Sequence, residues 1–188
     1  MKRKFVIFLI TLSTFFTFSC KNENSVKFSK NGLDVIADTI TYTAIIKNPD
    51  KTDTWTEQCL SRLDIKAFSN LIFDEIYAGK LKPYNYQLGY VMTLEEVKEF
   101  EKEYSRSRIG KALFTEEWYF DKKNTQMIKR VNSVMLAYEI MGFQEKNPLA
   151  EEIGIEDTTQ VVTGYKSGIR VYFNGTEPKP QPRELSLN

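Results

Sequence analysis

Residues 114–141, from Phe114 to Met141, read FTEEWYFDKKNTQMIKRVNSVMLAYEIM, and the reading of this stretch decides the fold. An aromatic cluster (Trp118, Tyr119, Phe120) runs into a polar break (Asp121, Lys122, Lys123, Asn124) and then into a longer apolar run. A strand, a tight turn and a second strand explain that order. The competing reading is a helix, because Ile128, Val131, Met135 and Tyr138 also fall near a helical spacing. The β-branched Ile128, Val131 and Val134 tilt the balance toward a hairpin. In such a strand Trp118 and Phe120 share one face and Tyr119 takes the other. Trp118, Tyr119, Phe120, Asp121 and Lys122 then form the candidate interaction surface, with core packing as the default competing role for the rings.

Outward from the hairpin, two helices carry start and stop signals. Asp64 can cap a helix with apolar positions Ile65, Phe68, Leu71, Ile72 and Ile76, and Gly79 can end it. Thr93 and Glu96 make a capping box before Leu94, Val97, Phe100 and Tyr104, which form one apolar face. The charged residues on the opposite face of that helix read as a solvated surface. Asp34 to Lys47 alternates in the manner of a strand and is broken by Asn48, Pro49 and Asp50. Asp50 to Thr56 is expected to be a polar loop without the ligand pattern of a calcium site. Lys80 to Met92 is expected to be extended, with Pro83 keeping it out of a sheet centre. Ser105 to Lys111 is expected to be a basic connection. Thr158 to Tyr165 and Ile169 to Phe173 flank Lys166, Ser167 and Gly168, which predicts a second hairpin. From Asn174, the prolines at 178, 180 and 182 predict an extended, loosely packed tail.

The fold class expected is α+β: two helices packed on antiparallel hairpins, with a signal peptide before them and a Pro-rich tail after. The expected organisation is a lipoprotein-type signal peptide over 1–19, a tether over 20–33, one domain over 34–174 and a disordered tail over 175–188. The chain has 188 residues, 41% of them hydrophobic, which suits a single core. Lys2, Arg3 and Lys4 precede an apolar run from Phe5 to Phe18, too short to span a bilayer and fitting a signal peptide. Ser19 and Cys20 close that run, as at a bacterial lipoprotein cleavage site, so Cys20 is the expected lipidated residue. Ordinary cleavage leaving an unmodified Cys20 is the bland alternative. With Cys20 acylated, Cys59 has no intrachain partner and is expected to be buried.

Composition excludes several chemistries. Without Lys2, Arg3 and Lys4 the 26 basic residues become 23 against 25 acidic, a net of −2, which gives nucleic acid nothing to bind. The sequence has no histidine, and with it go the histidine-based triads and dyads. Two cysteines alone cannot close a tetrahedral zinc site. Gly110, Lys111 and Ala112 lack the rest of a phosphate loop. Glu116 and Glu117 with Asp121 are the formal carboxylate candidates, but strand alternation sets the two glutamates on opposite faces. No catalytic residue, cofactor or metal is expected.

Three passages carry a resemblance. They are Phe68 to Leu81 (FSNLIFDEIYAGKL), the following Lys82, Pro83 and Tyr84, and Glu117 to Lys123 (EWYFDKK) with Arg130 and Val131 beyond. The region from Ile65 to Tyr138 resembles the GldN/PorN family, the periplasmic ring component of the gliding-motility and type IX secretion apparatus of Bacteroidetes. In that machine the lipid belongs to the partner ring protein GldK/PorK. A chain with its own Cys20 therefore looks like a short, self-anchored paralogue. The resemblance implies a non-enzymatic lipoprotein on the periplasmic side of the outer membrane. It would meet the membrane through Cys20 and meet envelope or secretion-ring proteins through the hairpin, with an oligomer compatible. The alternative is a glycan- or peptidoglycan-binding module that uses Trp118 or Trp55 as a stacking platform.

Overall fold

The computed structural model describes residues 29–30, 32–143 and 160–181. The expected signal peptide over 1–19, Cys20, most of the expected tether over 20–33, the expected loop at Pro148 and the last seven residues lie outside that set. The described residues form an α+β domain, a mixed fold of one antiparallel sheet and three α-helices.

Four long strands make the sheet. They are β2 (Leu33–Ile45), β4 (Ile109–Asp121), β5 (Gln126–Phe143) and β6 (Gln160–Tyr172), and short β1 (Ser29–Lys30) and β3 (Tyr84–Asn85) lie at its two edges. The strand order is β1-β2-β4-β5-β6-β3, and every pairing is antiparallel. The hairpin read from residues 114–141 forms as β4 and β5, with Asp121 opposite Gln126 at its turn. β4 begins earlier than expected, at Ile109, after a short 3-10 turn over Arg106–Arg108. β3 is an edge strand with Pro83 just outside it, as a missing N–H requires.

Everything between β2 and β4 sits in one insertion: α1 (Thr54–Leu60), α2 (Ile65–Tyr77), β3 and α3 (Leu94–Glu103). The Asp64 carboxylate caps α2 by accepting from the Ala67 N–H at 2.8 Å, and Gly79 follows the helix at φ 72°. The capping box of α3 is present in full: Glu96 N–H donates to Thr93 Oγ1, and Thr93 N–H donates to the Glu96 carboxylate. Ile72, Phe73 and Ile76 of α2 and Val97 of α3 bury against Ala112, Val134, Leu136, Tyr138, Ile169 and Val171 of the sheet. Tyr138 packs edge-on against Phe100 at 5.2 Å between ring centres. Arg106 ties the layers together, because its guanidinium lies 4.4 Å over the Phe73 ring, donates to Asn70 Oδ1 at 3.1 Å and pairs with Glu101.

Three expectations are corrected. The second hairpin does not exist, since β6 runs unbroken through Lys166, Ser167 and Gly168. Gly168 lies at a register shift, and a Cβ there would come 2.4 Å from Tyr138 Cε2 and 3.0 Å from the Leu136 carbonyl oxygen. The glycine admits the tyrosine ring and turns nothing. Residues 50–56 are not all loop, because Asp53 caps α1 by accepting from Thr56 N–H at 3.0 Å. Cys59, on α1, is exposed rather than buried, since no residue of that helix is buried. From Asn174 to residue 181 the chain is extended and mostly exposed, and it touches the body through a few hydrogen bonds. Thr176 Oγ1 donates to the Asn132 carbonyl at 2.8 Å, Asn174 Nδ2 to Val131 O at 3.0 Å, and Gln181 N–H to Gly89 O at 3.1 Å.

Candidate functional site

The buried core along β4 reaches Phe114, which Phe68 of α2 approaches at 6.5 Å between ring centres. Past that point β4 carries Glu116, Trp118 and Phe120 on the same face, beyond the reach of that contact. β2 and β5 flank them, with Ala37 opposite Trp118, Lys129 opposite Trp118 and Met127 opposite Phe120.

Glu116 organises this end. It is 4% exposed, and its two carboxylate oxygens accept from Tyr42 OH at 2.9 Å and Trp118 Nε1 at 2.8 Å. Both donors suit an ionised carboxylate, and both rings are oriented by it. Burial, then the hydrogen bond to Glu116, pushes the Tyr42 hydroxyl above its ordinary value. Lys129 lies 4.4 Å over the Trp118 ring, a cation–π contact that covers one side of the indole.

Tyr119 points to the opposite face and is only 6% exposed, its hydroxyl donating to Glu117. It therefore supports the strand and offers no contact surface, so the expected patch loses this member. Glu116 and Glu117 serve opposite faces, as alternation required, and each is engaged by aromatic donors. The turn is held by Asp121, whose carboxylate accepts from Lys123 N–H, Asn124 N–H and Asn124 Nδ2 at 2.9, 3.1 and 2.7 Å. Those bonds, the Asn124 side chain first, hold the Asp121 carboxyl below the usual carboxylate range. Lys122 reaches across to Asp34 at 2.6 Å, locking the turn to the start of β2.

Trp118 and Phe120 are half-buried, and Lys122 is exposed. Sequence reasoning missed the two exposed apolar neighbours: Ile36, 56% exposed, in an irregular stretch of β2, and Met127, 55% exposed, opposite Phe120. Ile36 lies at an irregularity in the pairing of β2, where a bulge re-aims side chains, and Met127 is set beside Phe120 only by the register of the hairpin. The hairpin end is thus a rigid apolar and aromatic patch edged by lysines. Trp55 is a separate feature, 72% exposed on α1 beside a shallow depression lined by Lys51, Thr54, Glu57, Gln58 and Ser61.

Among the described residues, no group of three or more Cys, Asp or Glu is placed to hold a metal ion, and no helix is long and apolar enough to cross a membrane. Comparison of the chain with family models, with curated proteins and with solved structures finds no match.

Proposed function

We propose that the chain is a non-enzymatic lipoprotein of the cell envelope, held on the periplasmic side of the outer membrane by a lipid on Cys20. Its hairpin end docks on protein components of the gliding-motility and type IX secretion machinery. The observation that carries the docking role is the patch of Trp118, Phe120, Met127 and Ile36, partly exposed and mounted on a sheet end that Glu116, Asp121 and the Lys122–Asp34 pair make rigid. A preorganised aromatic patch loses little side-chain freedom on binding, which favours its use as a contact surface. The carboxylates of this end orient rings, and that use supports a structural rather than a proton-transferring role. The resemblance over Ile65 to Tyr138 supplies the identity of the machine, and the lipid raises the local concentration of the domain beside membrane-bound partners.

The test places a photoreactive residue at Met127 in cells. Cross-links to ring components of the secretion apparatus, lost on Trp118→Ala, are expected. The absence of any such cross-link from Met127 would remove the hairpin end from the reading. A second reading, a glycan-binding module, is favoured by one observation: exposed Trp55 stands beside polar side chains in the arrangement that sugar stacking uses. Retention on immobilised peptidoglycan that Trp55→Ala abolishes and Trp118→Ala leaves intact would select it.

A further inference from the structure

The Pro-rich segment after β6 is exposed over 177–181 and is hydrogen-bonded to the protein's own surface at two points. Pro178 and Pro180 carry the fixed φ of proline, and a proline next in sequence biases residues 177, 179 and 181 toward extended backbone. That sequence favours the polyproline II conformation, with three residues per turn and no internal hydrogen bonds. At that period Pro178 and Gln181 come to the same side. Both positions reach the body: Tyr84 OH donates to the Pro178 carbonyl at 3.4 Å, and Gln181 N–H donates to Gly89 O at 3.1 Å.

The receiving surface is aromatic and firm. Tyr84 meets Tyr172 edge-on at 5.0 Å, and the Arg170 guanidinium lies 4.7 Å from the Tyr86 ring centre and 5.9 Å from that of Tyr172. Arg170 Nε is buried with no hydrogen-bond partner among the described residues. The loop that supplies Gly89 is held by Asn85, whose side chain accepts from Gln87 and Leu88 N–H at 3.0 and 2.9 Å. Gly89 has φ 71°, and a Cβ there would sit 3.0 Å from Gln181 Cγ, so the glycine permits both the loop and the approach of the tail. The Glu177 carboxylate is close enough to help burial raise the Tyr84 hydroxyl above its ordinary value.

We infer that Tyr84, Tyr86, Gly89, Arg170 and Tyr172 form a recognition surface for proline-rich segments in the polyproline II conformation, and that residues 177–181 are its resident ligand in cis. Aromatic faces take proline rings, and hydroxyl donors take the carbonyls that this helix leaves free. A proline-rich segment of a partner chain is the occupant that displaces the tail. This surface is separate from the hairpin end, and the inference does not depend on the proposed docking role.

The test uses the full chain and a labelled peptide of residues 177–188, EPKPQPRELSLN. Replacing Pro178, Pro180 and Pro182 by glycine in the full chain frees the surface. The peptide is then expected to bind at least tenfold more tightly than it binds the unaltered chain, whose surface is filled. Adding Tyr84→Phe, which removes only the hydroxyl, is expected to weaken binding severalfold with the melting temperature unchanged. A peptide with alanine at its three prolines is expected to bind at least tenfold more weakly. Equal affinity for the two chains, or for the two peptides, would overturn the inference. In the chain that keeps its three prolines, hydrogen exchange at the Gln181 amide is expected to quicken on Tyr84→Phe. No change there would likewise count against it.

Discussion

Tyr77 shows how single residues set the pH response of this protein. Burial first, and then its hydrogen bond to Glu101, pushes the Tyr77 hydroxyl up to about 12. Burial raises Tyr138 still more strongly, and Tyr42, Tyr84, Tyr104 and Tyr165 move the same way. An unfolded tyrosine releases its proton near pH ~10. The folded state holds the proton longer, so this stability is complete below about pH 10 and is lost as pH rises through the folded values. With no histidine in the sequence, no side chain of ordinary pKa titrates between about pH 6 and 8. The urea midpoint is therefore expected to be level from pH 6 to 8 and to fall steeply above pH 10. Tyr77→Phe, which keeps the ring, is expected to make that fall shallower, and an equally steep fall would show that Tyr77 does not contribute. None of this was legible beforehand except the missing histidine, because the shifts arise from contacts such as Tyr77 with Glu101 that bring α2 and α3 together. Cys59 teaches the same point: its residue type predicted burial, but α1 buries none of its residues.

At the scale of elements, what could be read was whatever a local signal and a tertiary role shared. α2 and α3 announce themselves because cap, apolar period and stop coincide in each. The β4–β5 hairpin does so because Asp121 and Asn124 carry the turn's own hydrogen bonds. α1 escaped because its only local mark is the Asp53 cap. β6 was misread because Gly168 looks like a turn residue until Tyr138, remote in sequence, is placed against it. That explanation has a measurable consequence. Gly168→Ala drives a methyl into the Tyr138 ring and is expected to cost about 1–3 kcal/mol. Gly164→Ala, in the same strand, meets only Ile140 Cδ1 at 3.8 Å, an ordinary contact. It is expected to change stability by less than about 0.5 kcal/mol. Chemical denaturation of the pair reads the difference directly. Equal effects would mean that Gly168 serves a backbone requirement instead of making room for the ring.

Strand order is a property of the whole molecule, and the sequence hides it, because β2 and β4 are neighbours although α1, α2, β3 and α3 all lie between them in the chain. That order has a consequence for an anchored protein. β1 enters the sheet at Ser29, which pairs with Asp34, and Asp34 in turn pairs with Phe120 at the hairpin end. The chain from Cys20 to Ser29 can span at most about 30 Å. β2 then runs for 13 residues, about 40 Å, before α1 begins at the other end of that strand. With a lipid on Cys20, the hairpin end is therefore tied close to the membrane and α1 is carried away from it. The two tryptophans report the two ends, since Trp118 lies near the hairpin turn and Trp55 on α1. In liposomes containing brominated lipid, the Trp55→Phe variant, which retains Trp118, is expected to be quenched at least twice as strongly as the Trp118→Phe variant, which retains Trp55. Stronger quenching of Trp55 would place α1 at the bilayer and reverse the orientation. The hairpin patch would then face outward, toward partners at a distance from the membrane instead of those lying along its surface.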